Sequence, residues 1–338
     1  MTRAAALALV ALLSAACAPI VQRPLIPTPG FTGPRLEPDR FVSFDGARLG
    51  LSRWEPPDEP WAVIVGLHGM NDYANSFHLA APYWASQGIA TFAYDQRGFG
   101  RSPQRGVWAG RELMTEDLRT LTALVRARYP HAVIAVVGES LGGAVAIEAF
   151  ASARPPDADR LVLLAPAVWG WSSQPFAYRI ALQIAAHTLP SQVFNPPSFV
   201  TEHIQASDNV DELIAMGRDP LMLWGARADA LYGLVNTMQR ASREIGELKA
   251  PTFYGLGRHD EIIPRKPALE AASRLPAGDR TVEYSDGWHL LLRDKQAKNV
   301  WEDVAAYLHN PDAPLPSGAP PTPSGPDARA LASPSPAR

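Results

Sequence analysis

The stretch Val133-Ile134-Ala135-Val136-Val137-Gly138-Glu139-Ser140-Leu141-Gly142-Gly143-Ala144 decides how this chain folds. A β-branched apolar run leads into it, and an Ala-rich segment continues from Leu141 to Phe150. The pattern therefore reads as strand, very tight turn and helix with one serine at the apex, the setting a nucleophile elbow requires. Side chains at Gly138 and Gly142 would crowd strand against helix. The small residues Gly143 and Ala144 let the helix run close to its strand. A bare Gly-x-Ser-x-Gly is a weak signal, and its weight comes from the flanking pattern and from partners elsewhere in the chain.

Outward from the elbow, apolar runs alternate with amphipathic segments. Phe41 to Phe44 and Leu49 to Trp54, separated by Asp45-Gly46, read as a hairpin. Trp61 to Leu67 is a near-continuous apolar run, as in a strand covered on both faces. A helix is expected over Asn75 to Gln87, stopped by Gly88, then a strand over Ile89 to Tyr94 and a glycine-rich loop, Asp95 to Ser102. Thr115 to Tyr129 carries Leu118, Leu121, Leu124 and Val125 at helical spacing. After the elbow come a strand over Arg160 to Ala165, a helix over Leu221 to Glu244 weakened by Gly225 and Gly233, and a strand over Thr252 to Leu256. A helix over Pro267 to Arg274, a strand over Thr281 to Tyr284 and a helix over Val300 to Leu308 close the series. Such alternation implies an α/β fold with a mostly parallel sheet flanked by helices, and a ligand site at the carboxyl ends of the strands. From about residue 168 to 218 the alternation breaks into an aromatic, proline-interrupted stretch with Trp169, Trp171, Phe176 and Tyr178. Its point of departure above Ser140 reads as a helical cap enclosing an apolar pocket; the alternative is helices that simply extend the core.

A serine hydroxyl needs a base to take its proton, and the base needs an orienting carboxylate. His289 follows the last expected strand and Asp260 the preceding one, at the same sheet edge as Ser140, in the chain order Ser, Asp, His. Asp286 and His259 are the nearest competitors. Asp286 is too close in sequence to His289 to reach beneath its ring, and His259 adjoins Asp260 and points elsewhere. The oxyanion hole would come from the backbone N–H groups of Leu141, at the helix N-terminus, and of Met70, in the His68-Gly69-Met70 loop. His68 itself reads as a loop-shaping partner. No metal-binding spacing and no dinucleotide fingerprint is present, so no cofactor is expected.

The ends have a different character. Met1 to Ala16 has one positive charge, an apolar run and small residues before Cys17, the layout of an export signal and too short for the ~20 residues that span a bilayer. Leu13-Ser14-Ala15-Ala16-Cys17 resembles a bacterial lipoprotein signal, with Ser14 where an apolar residue is usual; the expectation is lipidation of Cys17 and a membrane-anchored protein facing the periplasm. The alternative is a soluble periplasmic or secreted form. Residues 18–38, with six prolines, read as a tether that forms neither helix nor paired strand and reaches up to about 60 Å. Residues 39–310 form the main domain, and the Pro-rich residues 311–338 read as a disordered tail. In 338 residues with a net charge of -3 and a pI near 6.2, nothing calls for a nucleic-acid partner.

With these residues in view, the chain resembles the α/β-hydrolases, and among them the monoacylglycerol lipase and lysophospholipase group. The resemblance runs from about residue 41 to 309. It rests on His68-Gly69-Met70, Asp95 to Ser102, Gly138 to Gly143, Asp219-Pro220-Leu221, Gly257 to Asp260 and Gly287-Trp288-His289. It implies the α/β-hydrolase fold with Ser140, Asp260 and His289 as triad and Met70 and Leu141 as oxyanion donors. The implied activity is serine ester hydrolysis of lipid-like acyl esters, of monoacylglycerol or lysophospholipid type. An acyltransferase, thioesterase or peptidase could use the same triad, and a binding lipoprotein on a retired hydrolase fold is the reading outside enzymes. Two positions depart from the group's pattern: Glu139 stands where histidine is common, and Met70-Asn71 where Ala-Gly is frequent.

Overall fold

A computed structural model describes residues 18–195 and 204–323. The export signal with Cys17 and the last part of the tail lie outside the described residues.

Nine strands form one sheet: β1 (Arg35–Leu36), β2 (Arg40–Val42), β3 (Arg48–Trp54), β4 (Ala62–Leu67), β5 (Ile89–Tyr94), β6 (Val133–Glu139), β7 (Arg160–Leu164), β10 (Thr252–Gly257) and β11 (Arg280–Tyr284). Their order across it is β1-β2-β3-β5-β4-β6-β7-β10-β11. The first three and the β3–β5 pair are antiparallel, and every pair from β5 to β11 is parallel. All six residues of β4 and of β5 are buried, because helices cover both faces of the sheet. Helices Arg111–Arg128, Leu141–Phe150 and Ala228–Glu244 lie over one apolar layer. Helices Ala80–Ser86 and Ala297–His309 lie over the other. Glu112 in the first turn and Arg126 and Arg128 in the last complement the dipole of helix Arg111–Arg128.

The strand order reverses at β4, which has β5 on one side and β6 on the other. Crevices open at such reversals, outside the carboxyl ends of the strands. Register decides what meets there. Leu67 of β4 pairs with Gly138 of β6, Glu139 with Leu164 of β7, and Gly257 of β10 with Tyr284 of β11. The loops that start at His68, Ser140, Ala165, Arg258 and Ser285 therefore leave one edge of the sheet together.

The excursion over the site runs further than its expected end at 218. It holds helices Phe176–Thr188 and Val210–Arg218, and it closes with β8 (Val193–Phe194) paired to β9 (Ala226–Arg227). The helix expected from Leu221 begins only at Ala228, because Asp219 turns back on itself to take the Leu221 N–H and β9 claims the next residues.

Both termini depart from expectation. Prolines do keep residues 18–38 from forming helix, but the segment lies on the domain instead of spanning away from it. The Gln22 N–H donates to Trp108 O (2.8 Å), its side chain donates to Val107 O (2.7 Å), and the Leu25 N–H donates to Asp45 (2.8 Å). Arg35–Leu36 pairs with β2, where no paired strand was expected. The tail is likewise ordered through residue 323. Pro320 O accepts the Glu283 N–H (2.9 Å), Ala313 O accepts from Arg280 (2.9 Å), and Ser317 binds Asp303 through its N–H (2.9 Å) and its hydroxyl (2.5 Å). Low apolar content excludes a core of its own, but β11 is an edge strand, and its unpaired backbone groups give an extended segment something to bind.

Candidate active site

Ser140 sits at φ 53°, ψ -116°, in a region that residues with a Cβ rarely occupy. The surrounding chain holds it there: its N–H donates to Leu164 O (3.0 Å), and its carbonyl accepts from Ala144 (3.1 Å) and Ala167 (2.9 Å). A Cβ on Gly138 would lie 2.7 Å from the backbone of Gly142, and one on Gly142 would overlap the carbonyl of Leu67. The expected crowding is thus present, and at Gly142 it comes from the neighbouring strand β4 rather than the elbow's own. Asn71 (φ 65°) and Ala165 (φ 43°) also have positive φ at the same edge.

His289, 5% exposed, donates from Nδ1 to Asp260 Oδ2 at 2.9 Å. The other oxygen of Asp260 accepts the N–H groups of Ile262 (2.8 Å) and Ile263 (2.9 Å), so the carboxylate cannot swing away. Burial opposes charge on the imidazole, but the adjacent Asp260 carboxylate outweighs it. With Glu139 and Asp294 adding to the effect, the His289 pKa rises above the ordinary 6.5. The described hydrogen bonds do not include one between Ser140 and His289, a contact that is commonly long before substrate binds. His259 is exposed and stacks on Trp288 (5.3 Å), and Asp286 is exposed, so neither competitor faces the serine.

His68 is fully buried. Its Nε2 accepts the Gln96 N–H (2.9 Å), which leaves Nδ1 to donate to Gly69 O (2.7 Å), and burial keeps the ring neutral. This bond pair fastens the Gly69–Met70 turn beside the elbow. A Cβ on Gly69 would come within 3.3 Å of the Ser140 Cβ. Among the described residues, the Met70 and Leu141 N–H groups donate to no protein acceptor.

Above Ser140 opens a cavity of about 480 Å³ lined by Met70 and by cap residues Trp169, Pro175 and Tyr178. Leu231, Leu234 and Val235 of helix Ala228–Glu244 line it too, with Ile262 and Ile263. Among the described residues the lining carries no charged side chain; Gln174 and the Tyr178 hydroxyl stand in it beside Ser140.

A second cluster, beneath the site, was missed in the sequence. Arg293, 2% exposed, donates from Nη2 to Asp72 (2.6 Å) on the loop after β4 and to Glu139 (3.1 Å) on the elbow. Nearby, Asp294 accepts from the Ser207 hydroxyl (2.6 Å) and the Trp288 N–H (2.7 Å), and burial pushes its pKa up to about 7. The one available signal was a charged pair, Arg293-Asp294, directly after the apolar run Leu290 to Leu292.

Comparison with known proteins places these features in a family. A monoacylglycerol lipase of Mycolicibacterium smegmatis is 28% identical over 276 residues, covering 79% of this chain and 95% of that protein. A human monoglyceride lipase is 24% identical over 288 residues, covering 83% and 93%. A thermostable carboxyl esterase of Bacillus coagulans superposes with a TM-score of 0.67 at 19% identity, over 82% of this chain and 99% of that one, a likeness of fold. A family model described as serine aminopeptidase, S33, matches residues 58–296, well over half of the chain, and the protein belongs to that family of α/β-hydrolases.

Proposed function

We propose that this α/β-hydrolase, an ester hydrolase of lipase type, cleaves lipid-like acyl esters of monoacylglycerol or lysophospholipid type through an acyl-enzyme on Ser140. The observation that carries the reading is the strained serine on the floor of an apolar cavity, at the sheet edge that also bears the His289–Asp260 pair. His289 takes the Ser140 proton as the hydroxyl oxygen attacks the ester carbonyl, and Asp260 stabilises the imidazolium so formed. The tetrahedral oxyanion accepts from the Met70 and Leu141 N–H groups, the second reinforced by the N-terminus of helix Leu141–Phe150. His289 then protonates the leaving alcohol, and water repeats the sequence to release the fatty acid.

The family's description points to peptides, and a peptidase on the same triad is the second reading. An aminopeptidase needs an anionic group for the free α-amino terminus, and among the described residues the cavity lining has none. The names of the relatives favour acyl esters, as do the exposed apolar side chains of the cap, among them Phe176, Ile180, Ile184 and Trp224. Membrane attachment through Cys17 and a periplasmic location belong to the same proposal and rest on the sequence; no described helix is long and apolar enough to cross a membrane. Hydrolysis rates across acyl esters of varied head group and chain length, with Ser140→Ala as control, test the reading. Faster cleavage of aminoacyl amides than of any acyl ester would overturn it in favour of the peptidase.

A further inference from the structure

Arg293 touches, or belongs to, each of the three segments that carry the proposed chemistry. It stands four residues after His289 and donates to Asp72, two residues after Met70, and to Glu139, the residue before Ser140. Glu139, with no exposure, takes a further contact from the Leu292 N–H (3.5 Å), on the His289 loop. One buried guanidinium thus ties the oxyanion loop, the elbow and the histidine loop together. The histidine loop has one more set of ties, to the base of the cap: the His289 and Leu290 N–H groups donate to Ala206 O (3.1 and 3.0 Å), and Asn209 donates to Arg293 O (2.8 Å).

The charges do not cancel. Asp72 and Glu139 share one Arg293, so two almost wholly buried carboxyl groups face one guanidinium. A lone buried charge is costly, and where it is kept it commonly serves the site. The groups facing His289 are Asp260 from the loop after β10, Glu139 from the end of β6 and Asp294 from its own loop. Arg293 and Asp72 stand behind Glu139. Of these, Asp260 holds the Nδ1 side of the ring by a hydrogen bond, whereas Glu139 makes no hydrogen bond to the ring and meets its loop at the Leu292 N–H and at Arg293.

We propose that Glu139 and Arg293 are positioning residues for the His289 loop, and that the Glu139 carboxylate is a second anionic partner, after Asp260, for the imidazolium His289 becomes in each half-reaction. This rests on the ester-hydrolase reading. Arg293 supports the role: burial raises the Glu139 carboxyl above its ordinary range, and the guanidinium at 3.1 Å limits that rise.

Glu139→Gln tests the proposal, because it removes the charge, keeps an acceptor for Arg293 and leaves a neutral Arg293–Asp72 pair that the fold can hold. In a Ser140→Ala background, which separates the measurement from turnover, imidazole NMR follows the titration of His289. The expected result is a midpoint lowered by about half a pH unit or more in Glu139→Gln, and none of that shift in Asp72→Asn. With Ser140 present, the acid limb of kcat/KM moves to lower pH by the same amount while KM stays within about twofold, a pattern that mere loosening does not produce. An unchanged His289 midpoint would overturn the proposal. A measurement on the parent covers the case where the Glu139→Gln variant does not fold: the Glu139 carboxyl carbon must report an ionised group throughout the His289 titration, and a neutral carboxyl there would sink the idea. If the parent cleaved no acyl ester, the functional reading would fail while both NMR results still decided this one.

Discussion

Single residues define this site by where strands end. Ser140, Asp260 and His289 each lie within five residues of a strand's last residue, which is why apolar runs followed by polar residues exposed them in the sequence. Arg293 was hidden because its partners are 221 residues away at Asp72 and 154 at Glu139, and no local pattern announces a contact at that separation. Asp260→Asn should keep the ring in place but deny it a charged partner, lowering kcat about 10,000-fold with little change in melting temperature. Circular dichroism and a rate assay on the same sample check this. If His289 is the base, its raised pKa sets the acid side of the rate profile. The base is active only when deprotonated, so kcat/KM should fall as pH drops through a value above 6.5, and a limb well below 6.5 would mean that the Asp260 contact is not kept in solution.

Elements were legible wherever one periodicity ran unbroken. Strand β5 matches its expected span, and most of the other sheet strands and several helices differ from theirs by one to three residues. Helix Arg111–Arg128 starts four residues early, and the stretch expected as one helix over Asn75 to Gln87 is a short turn at Ala74–Phe77 followed by Ala80–Ser86. The cap was legible as an excursion but not in its ending, since β8–β9 pairs two-residue strands that carry no pattern. Gly233 is the sharper lesson. It reads as a weak point of helix Ala228–Glu244, yet a Cβ there would overlap the indole of Trp108, so the glycine permits a close approach between the helix and that ring. Gly233→Ala gains up to ~1 kcal/mol of helix propensity, but the overlap should prevail, for a net loss of roughly 1–3 kcal/mol in urea unfolding. The same helix presents Leu234 to the cavity. Leu234→Trp should shorten the acyl pocket, cutting kcat/KM for a long-chain ester about 10-fold while sparing a butyryl ester. Equal losses on both would mean that the acyl chain lies elsewhere.

At the scale of the molecule, composition identified the Pro-rich termini but not their contacts. A proline-rich segment reads alike whether it is free or laid along an edge, because the partner supplies the pairing. Residues 311–323 cover the β11 edge through Pro320 and dock on Asp303 through Ser317. Truncation after His309 should therefore lower the melting temperature and promote self-association through the bared strand, readable by light scattering. Charge burial makes a second prediction for the whole chain. Burial pushes the carboxyls of Glu148 and Asp294 up to about 7, from 4.5 and 3.8. Near neutrality the folded chain keeps protons that the unfolded chain has released, so these groups favour the fold at lower pH and that contribution is lost as pH rises through 7. The raised His289 acts in the same direction above 6.5. The protein should melt a few degrees higher at pH 6.5 than at pH 8, an interval in which salt-bridged carboxylates of lowered pKa would produce no change.

If Ser140 carries the acyl group, the acyl-enzyme can be trapped on it. Rapid acid quench of the protein mixed with a p-nitrophenyl ester, followed by peptide mass analysis, tests it directly. The expected result is a transient mass gain equal to the acyl group less one hydrogen, confined to the peptide containing Ser140 and absent from Ser140→Ala. Ester turnover with no adduct on that peptide, or with an adduct that survives in Ser140→Ala, would contradict it.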